Sequence, residues 1–173
     1  MRTSIPAIGI LMMSLMPAVL SAKGETVKIT MEGQRLPTPI EITDSSVGTF
    51  SVWAGPGVHV NGIEQSEGFI IDWAKGPVAE PATGMPRLEV AFYAATREDG
   101  PVRKTYTVSY VLDASAVQGF VYLPGKGDEP FPLNAATMYH GHGLEGHWFC
   151  ANGAWDAFAR ARIVPAQLKK PHR

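Results

Sequence analysis

Three of the chain's five histidines and its single cysteine fall within one short stretch, YHGHGLEGHWFC, residues 139–150. Neutral imidazole is a preferred ligand of zinc and copper(II), with nitrogen at ~2.0 to 2.1 Å from zinc, and three such ligands leave a fourth position open for water. His140, His142 and His147 are therefore the candidate metal ligands, and zinc or copper the candidate cofactor. The geometry that would bring them together is a hairpin. If MYHGH ends one strand, GLEG connects and HWFC begins the next, then His142 faces His147 across the pair, where Cβ atoms lie ~4.5 to 5.5 Å apart. His140, two residues before His142, falls on the same face. In that register Trp148 and Cys150 point to the opposite face, so the thiol is not a fourth ligand. The competing reading is a glycine-rich turn, because Gly141 and Gly143 favour bulges and close backbone approaches, and only Glu145 stands by spacing to orient an imidazole.

Other constellations carry weaker chemistry. Glu64, Glu67 and Asp72 in GIEQSEGFIIDW would suit a carboxylate-based hydrolase if two of them stood ~5 to 9.5 Å apart. Nothing in the spacing enforces that, and Asp72 reads as a strand-end or turn-capping acid. Ser66 lacks the Gly-x-Ser-x-Gly elbow. LPGKGDEP, residues 123–130, lacks the length and the Lys-Ser/Thr of a phosphate loop and reads as a turn. Of the four tryptophans, Trp73 and Trp155 read as core. Trp53, before GPG and near His59 and Asn61, is the one whose exposure would indicate a binding face.

The elements that must position these groups are mostly strands. RLEVAFYA alternates Leu88, Val90, Phe92 and Ala94 with Glu89, Ala91 and Tyr93, and Tyr106, Val108, Tyr110 and Leu112 alternate in the same way. TREDGP between them supplies turn chemistry, and GFVYLP returns as a third strand of one meander. ETVKITM, PIEIT, TFSVW and GFIIDW are shorter strand candidates. The chain's 18 glycines and 14 prolines sit mainly between these runs and mark many short strands. From Asn152, NGAWDAFARARI changes to helical spacing. Asn152 is placed to cap the helix, Trp155, Phe158 and Ile163 share a face, Arg160 and Arg162 suit the negative end of the dipole, and Pro165 is expected to stop it. The expected fold is mainly β, a single antiparallel sandwich or partly open barrel with one short C-terminal helix.

The first 22 residues, MRTSIPAIGILMMSLMPAVLSA, hold Arg2, no acid, an apolar run from Ile5 to Leu20 and small residues at the end. That is the layout of a Sec-type secretory signal peptide cleaved after Ala22. Pro6, Gly9, Ser14 and Pro17 interrupt the run, which is a poor match to the ~20 apolar residues of a membrane span. The expected organisation is a signal peptide over 1–22, one β-rich domain over 23–163 and a basic tail over 164–173. The mature protein is expected in the periplasm or outside the cell, with no integral membrane segment. With 15 basic and 16 acidic residues in the full chain, charge gives no reason to expect nucleic acid as a partner. A lone cysteine cannot form an internal disulfide, so Cys150 reads as a small buried hydrophobe.

The stretches WAGPG, VNGIEQSEGFIIDWAKGPV, FVYLPGKGD and EGHWFCANGAWDAF resemble a group of uncharacterised exported bacterial β-rich proteins over most of the mature chain. The resemblance implies export and a β-rich fold, and brings no activity, cofactor or catalytic residue with it. In that group the segment before EG-x-W need not contain His140 and His142, nor the position of Cys150 a cysteine, which makes the histidine cluster particular to this chain. The expected function is binding to a protein or cell-envelope ligand without turnover. Transition-metal binding through the three histidines is the alternative, and a carboxylate-based hydrolase the second alternative.

Overall fold

The computed structural model describes residues 25–33, 35–95, 100–112, 118–140 and 143–168. Seven strands form one antiparallel sheet in the order β2-β1-β6-β7-β8-β9-β5: β1 Glu25–Glu32, β2 Ile40–Ile42, β5 Pro77–Val78, β6 Arg87–Ala95, β7 Val102–Val111, β8 Phe120–Tyr122 and β9 Trp148–Cys150. A small hairpin, β3 His59–Val60 with β4 Ile63–Glu64, stands apart from it. Two helices complete the fold, α1 Phe131–Thr137 and α2 Gly153–Leu168. The architecture is mainly β and antiparallel with a C-terminal helix, as the patterning predicts, and the sheet is not closed into a barrel.

The meander β6-β7-β8 follows directly from the alternation. Leu88 pairs with Tyr110, Val90 with Val108 and Phe92 with Tyr106, and all six are buried on one face. That face carries the core. Trp155, Ala159 and Ile163 of α2 pack on it, with Trp155 edge-on to Tyr110 at 5.9 Å and to Phe50 at 5.1 Å. Farther along, Phe69 from the long connection between β2 and β5 lies 5.1 Å from Phe92. Asn152 ties these layers together. Its Oδ1 accepts the Trp155 amide at 2.7 Å, the predicted cap, while its Nδ2 donates to the Phe69 carbonyl at 2.5 Å.

β8 is short and covers only residues 109–111 of β7 on one side while pairing with β9 on the other. Just beyond, Asn134 of α1 takes the place of the missing strand: it accepts from the Thr107 amide at 2.8 Å and donates to the Thr107 carbonyl at 2.7 Å. Asn134 is itself buried.

Several expected elements differ. TFSVW is not a strand; Ser45–Phe50 is a 3-10 turn whose entry is capped by Asp44 accepting from the Ser46 amide at 2.9 Å. Val47 and Phe50, three apart, are the buried pair, a spacing that suits a 3-10 turn and not a pleat. GFIIDW contributes only a bridge, Ile71 to Ala151, because Phe69 takes a left-handed φ of 63° and Trp73–Lys75 winds into another 3-10 turn. Pro165 does not stop α2, which runs on to Leu168. Proline removes one amide donor near the helix end, and Ala166 still packs against the core. The domain therefore reaches into the segment read as a tail. Part of the TREDGP turn, most of DASAVQ, the predicted signal peptide and residues 169–173 lie outside the described residues. Among the described residues no helix is long and apolar enough to cross a membrane.

Candidate functional site

The expected hairpin of histidines does not form. Residues 138–140 leave α1 without entering a strand, and HWFC supplies β9, whose partners are β8 and β5. His140 is wholly buried, ringed by Trp73 at 5.2 Å and by Phe69 and Tyr106 at 5.8 Å. Its Nδ1 lies 3.0 Å from the Pro56 carbonyl oxygen. A carbonyl only accepts, so Nδ1 carries the proton and Nε2 a lone pair. Among the described residues Nε2 has no hydrogen-bond partner. Burial holds the His140 pKa below its ordinary value, against the opposing pull of the Pro56 carbonyl and the Glu145 carboxylate. The neighbouring Tyr106 hydroxyl is pushed up, by burial first and by Glu145 second, and stays protonated.

His147 is exposed, its Nδ1 3.1 Å from the Glu145 carbonyl. His142 lies outside the described residues. Among the described residues no group of three or more His, Cys, Asp or Glu side chains is gathered for a metal ion. Cys150 is buried and free, as expected of a small hydrophobe.

Of the three carboxylates, Asp72 is engaged apart from the other two. Asp72 precedes the Trp73–Lys75 turn and pairs with Lys75 at 3.0 Å, without capping the turn by its side chain. Glu64 and Glu67 instead share a cleft of 390 Å³ with Pro56, Gln65, Ser66, Trp73 and Ala74. Glu64 is held there by the Gly57 amide, which donates to its Oε1 at 3.0 Å. Trp73 forms a wall. Its indole N–H donates to the Gly68 carbonyl at 2.8 Å, and its ring packs inward on His140 and, at 5.5 Å, on Phe149. Gly55 makes room for it: with φ of +99°, a Cβ there would lie 2.5 Å from the Trp73 Nε1.

Two of the cleft's residues, Pro56 and Trp73, thus rest directly on His140. Trp53, the tryptophan singled out in the sequence, is half-buried against the core. Trp73 was legible only as an aromatic at the end of an apolar run, and nothing in its spacing separates a core tryptophan from a cleft wall. A larger depression of 580 Å³ lies at the other end of the sheet, lined by Glu32, Arg35, Arg87 and Glu89 among others. It has no aromatic wall, and two of its charges are taken up by neighbours: Arg87 contacts Glu80 at 3.4 Å and Lys104 contacts Glu89 at 2.8 Å. No family model, no curated protein and no solved structure matches the chain.

Proposed function

We propose that this chain is an exported, non-catalytic binding protein that engages its partner at the cleft between residues 56–57, 64–67 and 73–74. The observation that carries the reading is the Trp73 wall, fixed by its Gly68 hydrogen bond and by the close approach of Gly55 beside two carboxylates. Aromatic walls with a few placed polar groups are the usual make-up of a recognition site. Asp72 is paired with Lys75 and does not line the cleft, and Glu64 is engaged by a backbone amide. Export rests on the layout of residues 1–22. Expression of the full chain in a bacterium, followed by fractionation and N-terminal sequencing, is expected to recover a periplasmic or secreted protein beginning at Lys23. Intact Met1 in the cytoplasm, or specific hydrolysis by the purified protein, would end this reading.

A second reading, transition-metal binding at His140, His142 and His147, is favoured by one observation. An imidazole whose Nδ1–H is held by a carbonyl, with a buried lone pair on Nε2, has the arrangement of a metal-ligating histidine. Elemental analysis of the untagged protein is expected to find zinc or copper, lost in His140→Ala. A metal-free protein that takes up neither ion at neutral pH would retire it.

A further inference from the structure

The cleft is aromatic on one side and anionic on the other. Its lining includes two carboxylates, Glu64 and Glu67, and no basic side chain. The nearest lysine in sequence, Lys75, is committed elsewhere: its Nζ lies 3.0 Å from Asp72 and 3.2 Å from the Gln118 side chain. Among the described residues no lysine or arginine pairs with Glu64 or Glu67. The two acids therefore face the cleft without a counter-charge among the described residues, and Glu64 is held in place by the Gly57 amide. Trp73 has its polar edge occupied by Gly68, so what it offers the cleft is π surface. Tryptophan is the strongest aromatic partner for a cation. Between the acids, Ser66 and Gln65 provide a hydroxyl and a side-chain carbonyl suited to a peptide backbone.

We infer that the cleft binds a lysine side chain presented by a polypeptide partner, with the ammonium between Glu64, Glu67 and the Trp73 ring and the flanking backbone along Gln65 and Ser66. This rests on the reading of the cleft as the binding site and names the chemistry of what it takes. A neutral partner would leave both carboxylates partly desolvated without compensation. An isolated polyamine would use the acids and ring but not the neutral groups between them.

The test is a calorimetric titration of the purified protein with acetyl-Ala-Lys-Ala-amide, its norleucine counterpart, spermidine and chitotriose, with the Trp73 indole followed by NMR. The lysine peptide is expected to bind about tenfold more tightly than the norleucine peptide, to shift the Trp73 indole, and to weaken as salt is added. Glu64→Gln with Glu67→Gln is expected to remove that preference. Glutamine keeps an acceptor for the Gly57 amide, so the loss reports charge and not local collapse. Equal binding of the two peptides, or tighter binding of spermidine, overturns the inference. Chitotriose bound at Trp73 in place of the lysine peptide overturns it too, while leaving the cleft as the binding site. No response at Trp73 to any of the four overturns both.

Discussion

His140 stands at the junction of core and cleft, and its chemistry there has a consequence for stability. Its folded-state pKa lies below the ordinary 6.5, because burial penalises the imidazolium. As pH falls through that ordinary value, the unfolded chain takes up a proton that the folded chain refuses. Stability therefore declines with falling pH from 6.5 down to the lower folded value, and the contribution is flat above this window. Denaturant midpoints measured across that range are expected to fall more steeply for the native sequence than for His140→Gln, whose amide does not titrate and can still donate to Pro56. Identical slopes would show that His140 is not held neutral. The sequence identified His140 as a residue of interest but not its surroundings. A strand register was assumed for MYHGH, whereas the Pro56 carbonyl and the Trp73, Phe69 and Tyr106 rings come from segments far away in the chain.

At the scale of elements, what was legible had a clean period. β6 and β7 bury Leu88, Val90 and Phe92, and Tyr106, Val108 and Tyr110, at a spacing of two, and α2 begins at a capping asparagine. Shorter segments lack such a period: TFSVW has the composition of a strand, whereas the buried spacing of three between Val47 and Phe50 belongs to a 3-10 turn. α1 had no expectation at all, and its role is seen only in the Asn134 bridge to Thr107. Asn134→Leu is expected to cost roughly 2 to 4 kcal/mol, since it strands a buried amide and a buried carbonyl that the short β8 does not reach. Urea unfolding measures this directly, and a change well below 1 kcal/mol would mean that water replaces the asparagine without penalty.

For the whole molecule, the candidate site belongs to the cover of the sheet and not to the sheet itself. Residues 56–74, with the small β3–β4 hairpin among them, lie against the core, held by Phe69 on Phe92, by Asn152 on the Phe69 carbonyl and by Trp73 on Phe149. The same buried side chains that hold this cover also form the one contiguous core with α2. Unfolding is accordingly expected to be a single cooperative transition, with tryptophan fluorescence and far-ultraviolet dichroism changing together. An earlier fluorescence transition would mark the cover as a separately opening unit.

Cys150 lies at the end of β9, between β8 and β5, 9% exposed and the only thiol in the chain. That makes it a clock. A thiol reagent in solution waits for the strand to part from its neighbours before it can react, so the labelling rate at increasing reagent concentration reads first the population of the opened sheet and then the rate of its opening. With a single sulfhydryl there is no ambiguity about which strand is being timed. The protein carries its own reporter on how long the far side of the sheet stays shut.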